Sequence, residues 1–422
     1  MLGLRGYCAL SDTAQHCCRP FFCTALGSVS EDISLEEMSN STEPSAGAIT
    51  DASALTFIAE GAANLLYRIS DDQHSFYLLR LRKRQLSQPS TLDVYSFNSK
   101  HILPLFAPDM VASMQLVKLE PAVLEQLNKD LAGLESAGIR NPNRHGTVLD
   151  TDESYGILVE NMTAESVHSD LPIVSSGREK IKGSSGVLSY VVRENRGKRL
   201  EVAVLEFKPK WLTQSKDAPS DWKYCRTCAL RRYRAKDASV YSFCPLDLVS
   251  GNRQRVEKSV RALLPEQLVI KQGSILTVER LRRIVTEFIL NSEVFKTLVH
   301  IQDKMDEYGV LNTSDSEDSM NFLIAMTVRD CTAFLRIVYT ELDKDKTRDF
   351  EFSHAGKPYF TDRDSTYITV DSYYFAVSCR LADLDIKDGS GTKRAYWQSI
   401  EKDLNEGGWY TSDDALIEPC RK

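Results

Sequence analysis

The stretch Glu201-Val-Ala-Val-Leu-Glu-Phe-Lys-Pro-Lys210 constrains this chain more than any other. Its apolar, β-branched run predicts an extended strand, and Pro209, with fixed φ and no N–H, predicts the strand's end. Side chains alternate faces along a strand, so Glu206, Lys208 and Lys210 share one side. An acid and two lysines facing a core would leave costly buried charges. An exposed edge strand with gatekeeper lysines is the alternative. Val202 to Leu205 is too apolar for a solvated strand, so the charged face is expected to meet a ligand.

The charge around that strand is unusual for the chain. There are 422 residues with 52 basic and 59 acidic side chains, a net charge of −7. Arg193 to Lys236 holds 13 basic and 5 acidic residues, so a segment of +8 sits in a remainder of −15. The overall acidity argues against a general nucleic-acid binder, whereas the local balance predicts an anionic partner. Hydrophobic residues at 42% and charged residues at 26% exclude collagen-like, disulfide-scaffold and wholly disordered classes. No run of 18 apolar residues occurs, so neither a transmembrane helix nor a membrane partner is expected.

Four of the ten cysteines (Cys8, Cys17, Cys18, Cys23) crowd the N-terminus and the rest are scattered, which fits reduced thiols better than a disulfide framework. Cys225 and Cys228 form a CxxC, with Cys244 as the nearest third thiol. Structural zinc needs four ligands. No fourth is evident, so zinc is not expected.

Residues 1–50 are expected to be a disordered tail or an upstream extension, with Met38 as a plausible start; a basic, acid-poor transit peptide is the alternative. Residues 51–163 predict a β-rich N-terminal lobe. Within it, Leu55–Ile58 and Asn64–Ile69 flank the turn Glu60-Gly61-Ala62-Ala63, and Phe76–Arg82 follows as a strand. Helical spacing of Val123, Leu124, Leu127, Leu131 and Leu134 after Pro121 predicts a helix, and Gly156–Glu160 predicts a strand. The Ser/Gly-rich segment 164–190 is expected to be a mobile insertion. Residues 191–422 predict an α+β C-terminal lobe. One long amphipathic helix should run from Leu281 towards Met305, then a polar linker at Ser314–Ser319. Strands are predicted over Val328–Tyr339 and Tyr367–Ile386. The sum is an α+β, two-lobed, kinase-like fold with the active site in the cleft.

Candidate chemistry follows. Small residues at Gly61, Ala62, Ala63 and Asn64 would let backbone N–H groups approach a phosphate; a plain hairpin turn is the alternative. Arg80 and Arg82 project to one face of the next strand and Lys83 to the other, and a strand cation facing a Gly-rich turn is how kinases hold nucleotide phosphates. Arg226, Arg231, Arg232 and Arg234 form a basic cluster that either grips an anion or is a solvated helix face. Asp383 and Asp385, two apart at a strand end, face the same way, as a Mg²⁺ site requires. Asp330 is a separate carboxylate able to accept a hydroxyl proton. The set is a kinase inventory.

These residues resemble the inositol-pentakisphosphate 2-kinases, in a fungal-like form, from about Phe57 to Leu404. The resemblance rests on Gly61–Asn64, Leu79–Lys83, the Glu-x-Lys-Pro-Lys element at 206–210, Cys244-Pro-Leu-Asp-Leu248, Arg329-Asp-Cys-Thr332 and Asp383-Leu-Asp-Ile-Lys387. It implies an ATP-dependent enzyme that phosphorylates the 2-hydroxyl of inositol 1,3,4,5,6-pentakisphosphate to give inositol hexakisphosphate. By the same resemblance Gly61, Ala62, Ala63, Asn64 and Arg80 bind ATP phosphates. Glu160, Asn161 and Met162 form the adenine hinge, and Glu206 and Lys208 complete the nucleotide site. Lys210, Arg234, Lys387 and Arg394 grip substrate phosphates with Tyr396 or Trp397 nearby, and Arg144 joins them. Asp330 is the general base and Asp383 the Mg²⁺ ligand, with Asp385 beside it.

Four departures stand out: Arg234 is Lys in plant members, Asp388–Thr392 is lengthened, the plant zinc site has no evident counterpart, and Asn161-Met162 differs from the plant hinge. The resemblance also implies a monomer in the nucleus or cytoplasm. A substrate of five phosphates carries roughly −8 to −10 charge, the scale of the basic segment. The rival readings are a protein-kinase-like chain and a nucleic-acid or polyanion binder using residues 193–236. Neither a His-Arg-Asp loop nor an Asp-Phe-Gly element is present to favour the first.

Overall fold

Short apolar runs rich in β-branched and aromatic residues build two six-stranded sheets with helices packed on them, a mixed α+β fold. The computed structural model describes residues 46–70, 74, 76–85, 89–167, 171–181, 186–234, 243–268, 270, 273–313, 318–340, 352–354, 357–360, 365–387, 391–413 and 418–420. All but the end of the expected 1–50 tail, with its four cysteines, lies outside these residues. So do Ser314–Glu317 of the polar linker and 388–390 of the lengthened segment.

The first sheet contains β1 (Ala46–Ile49), β2 (Leu55–Glu60), β3 (Asn64–Ile69), β4 (Tyr77–Arg82), β5 (Met114–Leu119) and β6 (Tyr155–Glu160). Their spatial order is β1-β5-β6-β4-β3-β2. Helix α1 (Thr91–Phe97) begins at a Ser90–Asp93 capping box, in which each side chain accepts the other's backbone N–H. Helix α2 (Pro121–Ser136) starts where Pro121 predicts it. It buries Val123, Leu124, Leu127 and Leu131 against Leu65, Leu79 and Val117 of the sheet, at about 1.5–3 kcal/mol per side chain.

The second sheet orders as β13-β14-β10-β9-β8-β7. Its first strands are β7 (Ile173–Lys180), β8 (Val187–Asn195) and β9 (Lys198–Phe207), followed by β10 (Thr332–Thr340), β13 (Thr366–Val370) and β14 (Tyr373–Ala382). The segment 164–190 expected as an insertion thus supplies β7 and the start of β8. Strands β11 (Phe352–His354) and β12 (Lys357–Phe360) pair separately. Helices α3 (Arg226–Arg234), α4 (Pro245–Leu248), α5 (Arg253–Leu263), α6 (Val278–Asn291), α7 (Glu293–Lys304), α8 (Asp318–Arg329) and α9 (Gly391–Glu406) complete the described elements.

Several boundaries differ from expectation. The end of the expected tail, Ala46–Ile49, is strand β1 with Ile49 in the core. The strand expected over Tyr367–Ile386 is a hairpin of β13 and β14 that turns at Asp371 and Ser372, both left-handed (φ 52° and 67°), and ends at Ala382. The long helix from Leu281 to Met305 is two helices, because Ser292 is extended (φ −75°, ψ 124°) and ends one while starting the next. The strand expected from Val328 begins at Thr332, and Val328 is instead fully buried on α8. Packing of that helix overrides the β-propensity of the run, and it leaves Asp330 in the short joint between α8 and β10. Among the described residues no helix is long and apolar enough to cross a membrane.

Candidate active site

Antiparallel pairing places three strand ends at one sheet edge. In the β9–β10 ladder Phe207 faces Ala333, and in β10–β14 Thr332 faces Ala382. Lys208 and Lys210 leave the end of β9, Asp330 precedes β10, and Asp383, Asp385 and Lys387 follow β14. Residues up to 179 apart in sequence therefore meet. Lys208 Nζ donates to the Asp330 carbonyl at 2.7 Å and to Asp383 Oδ2 at 2.8 Å, and lies 3.4 Å from Asp330 Oδ2. Lys210 Nζ is 3.0 Å from Asp330 Oδ1 and Lys387 Nζ is 3.2 Å from Oδ2. Three ammonium groups thus surround one carboxylate that is 44% exposed.

The electrostatics follow from that crowding. Burial pushes the Asp330 carboxyl up, but Lys387, Lys210 and Lys208 outweigh it and hold Asp330 well below the ordinary carboxylate range. Desolvation lowers Lys210 despite Asp330 beside it. Burial also opposes charge on Lys208, yet Asp383 and Asp330 keep it raised. Glu206 faces the same edge, raised by burial and by Asp383, with Arg178 Nη2 3.4 Å from its carboxylate.

Asp385 is engaged differently from Asp383. Its carboxylate accepts from Arg80 Nη1 at 2.7 Å and from Asn64 Nδ2 at 3.3 Å, with side chains 16% and 11% exposed for Asp385 and Arg80. It therefore joins the end of β14 to β3 and β4. Burial alone would raise Asp385, but the Arg80 guanidinium holds it below the usual range. Asp383 is 45% exposed, has a left-handed backbone (φ 59°) and leans on Lys208.

The small-residue turn closes where Gly61 N–H donates to the Asn64 carbonyl at 2.9 Å. Lys83, on the opposite face from Arg80, is buried behind it and donates to Glu60 Oε1 at 2.7 Å and to the Gly61 carbonyl at 3.0 Å. Neither φ nor packing demands glycine at 61, since an added Cβ would lie 3.8 Å from its nearest neighbour.

The predicted hinge residues end β6 and enter the second sheet's territory. Glu160 Oε2 accepts from Ser113 N–H at 3.2 Å, and Asn161 N–H donates to the Phe76 carbonyl at 2.9 Å. Buried Arg336 of β10 donates to the Asn161 carbonyl at 3.2 Å and lies 3.7 Å from Met162 Sδ. That arginine carried no signal in the sequence, because only the fold brings β10 beside Asn161 and Met162.

The basic segment is used more internally than its charge suggests. Arg226 is buried and paired with Glu401 at 2.8 Å, and Arg232 is buried 4.0 Å from the Tyr224 ring centroid, donating to the Trp409 carbonyl at 2.8 Å. Arg231 donates to the Phe243 carbonyl. Exposed Arg234 donates to the Tyr396 hydroxyl at 2.7 Å, bringing two of the predicted substrate residues together. Arg394 is buried on α9, 6.0 Å from the Phe322 ring centroid, and Arg144 sits half-buried in the turn after α2.

A second cluster could hold a metal. Cys225, Cys228, Cys244 and Cys420 bring their Sγ atoms within 4.8 Å of one another. Cys225 and Cys244 are 3.9 Å apart and Cys244 and Cys420 3.5 Å. A tetrahedron with zinc–sulfur bonds near 2.3 Å has edges of about 3.8 Å, so this donor set fits zinc. The expectation of no zinc site is thus corrected by Cys420 as the fourth thiol, whose N–H donates to the Lys223 carbonyl at 2.9 Å and draws the C-terminal segment alongside α3. Its distance of 176 residues from Cys244 hid it.

The profile of the family described as inositol-pentakisphosphate 2-kinase matches residues 57–403. A protein named inositol-pentakisphosphate 2-kinase from Yarrowia lipolytica is 30% identical over 356 residues, covering 84% of this chain and 92% of that protein. The chain belongs to the inositol-pentakisphosphate 2-kinase family and is a kinase that transfers phosphate to an alcohol.

Proposed function

We propose that this enzyme transfers the γ-phosphate of ATP to the 2-hydroxyl of inositol 1,3,4,5,6-pentakisphosphate, giving inositol hexakisphosphate. The reaction takes place between a smaller β-rich N-terminal lobe (51–163) and a larger α+β C-terminal lobe (191–422). The observation that carries the reading is the cage of Lys208, Lys210 and Lys387 around Asp330. Three ammonium groups from separate segments converge on one carboxylate that is 44% exposed, an excess of positive charge at a partly open point of the surface, which suits a polyphosphate.

In this mechanism Gly61–Asn64 and Arg80 hold the ATP phosphates, Glu160–Met162 face adenine, and Glu206 and Lys208 complete the nucleotide site. Lys210, Lys387, Arg234 and Arg394, with Tyr396, bind substrate phosphates. As Lys210 and Lys387 turn to those phosphates, Asp330 loses the charges that hold it acidic, and its affinity for a proton rises. The base therefore strengthens when substrate is present. Asp330 then takes the 2-hydroxyl proton as that oxygen attacks the γ-phosphorus and ADP departs. Asp383, exposed and at a strand end, suits Mg²⁺, which would neutralise phosphate charge. Asp385 is committed to Arg80 and Asn64 and serves that site as an anchor. The four thiols support a separate structural zinc ion tying the C-terminal segment to α3.

The polyanion-binding rival loses support because Arg226 and Arg232 are buried within the fold. The test is incubation of purified protein with ATP and inositol pentakisphosphate, with the product read by phosphorus NMR. A new resonance for the axial 2-phosphate is expected. Absence of that product, with ATP hydrolysed or untouched, would refute the assignment.

A further inference from the structure

Lys210 adopts a left-handed backbone at φ 65°, a region that residues with a Cβ rarely enter. Such a conformation persists only where the surroundings over-determine it. The surroundings here are one side chain and one ring. Gln302 of α7 is fully buried, and its Nε2 donates to the Lys210 carbonyl at 3.0 Å while its Oε1 accepts from Leu212 N–H at 2.8 Å. Both ends of the amide are thus spent on the backbone flanking Trp211. The Trp211 ring carries the guanidinium of Arg329 3.6 Å from its centroid and that of Arg226 at 4.1 Å. Arg329 immediately precedes Asp330, pairs with Asp306 at 2.6 Å and approaches the Gln302 carbonyl at 3.5 Å.

We propose that Gln302 is a positioning residue for the phosphotransfer: it fixes the strained backbone of Lys210 so that the ammonium lies on Asp330 and can be passed to a substrate phosphate. The inference rests on the reading of Asp330 as the base. Packing alone does not call for an amide at this place, since a methionine would fill the same volume. What the amide adds is a hydrogen bond on each side of Trp211, which fixes both the turn and the direction of the lysine. Because Gln302 also touches Arg329, the Lys210 and Asp330 segments are set by one buried unit.

The test is Gln302→Met, which keeps length and volume but neither donor nor acceptor. A displaced catalytic group costs on the order of 100-fold, so kcat is expected to fall about 10- to 100-fold and KM for inositol pentakisphosphate to rise with the loss of Lys210, while KM for ATP stays within about twofold. A crystal structure of the variant should show residue 210 outside the left-handed region and its Nζ beyond hydrogen-bond reach of Asp330. Should this variant not fold, Gln302→Asn keeps an amide but is one methylene shorter, so it cannot hold both sides of Trp211 at once, and it should show the same split between kcat and KM for ATP. The proposal is overturned if the variant keeps wild-type kcat, or if residue 210 holds its φ and its contact with Asp330. Asp330→Asn run in parallel separates the two claims. If that variant turns over normally the base reading fails, yet the backbone of residue 210 still decides the role of Gln302.

Discussion

Replacing Arg80 by methionine isolates the contact that joins the two sheets at the site. Unit charges 2.7 Å apart, as Arg80 and Asp385 are, attract by about 6 kcal/mol at an effective dielectric constant near 20. Desolvation of both ions offsets part of this, and removing one partner of a buried pair typically costs about 3–5 kcal/mol. Both side chains retain some exposure, so a loss of about 3 kcal/mol is expected at neutral pH. The sign of its pH dependence follows from Asp385. In the parent, Arg80 holds that carboxyl below its unfolded value. Its stabilisation is therefore present above about pH 4 and is lost as pH falls through the folded value. In the variant, burial without the guanidinium raises the carboxyl, so stability declines as pH rises. The difference between the two proteins should be largest near pH 7 and narrow towards pH 4. Urea unfolding followed by tryptophan fluorescence across that range measures it. A loss below about 0.5 kcal/mol, the scale of an exposed ion pair, or a loss equal at both ends of the range, would show that Arg80 does not stabilise the buried Asp385 carboxylate.

Alanine at Lys210 or at Lys387 should raise KM for inositol pentakisphosphate by about one to two orders of magnitude, since charge-assisted contacts contribute about 1.5–3 kcal/mol each; KM for ATP should barely move in initial-rate assays. Asp383→Asn should raise the Mg²⁺ concentration needed for half-maximal rate, and a defect that does not vary with Mg²⁺ would remove Asp383 as the ligand. One zinc per chain is expected by elemental analysis of the purified protein, falling in Cys420→Ser, whereas a metal-free wild-type protein with native secondary structure would contradict the four-thiol site.

The Glu-Phe-Lys-Pro-Lys element was legible because strand alternation and proline act over a few residues, and β9 ends at Phe207, just before Lys208 and Pro209. Helix α2 was legible for the same reason, from local spacing and Pro121. The edge where Lys208, Asp330 and Asp383 meet depends on the register of β9, β10 and β14. Pairing across 126 residues between β9 and β10 and 50 between β10 and β14 leaves no local trace. The same holds for Cys420 as the fourth thiol and for Arg336 beside Asn161. The basic segment misled in magnitude: Arg226 and Arg232 count as charge in composition but are stacked on Trp211 and Tyr224 and buried. Those neighbouring aromatics were the available signal. The break at Ser292 was hidden because α6 and α7 continue one apolar periodicity across it.

Asp330 is the centre of the account, and Asp330→Asn tests it most directly. The substitution keeps shape and leaves Lys208, Lys210 and Lys387 in place, so calorimetric affinities for ATP and inositol pentakisphosphate should change little. Single-turnover formation of inositol hexakisphosphate should then fall by about 10²- to 10⁴-fold, the usual range for a general base. A rate within about threefold of wild type would show that Asp330 takes no proton in the reaction, well outside the loss expected of a base.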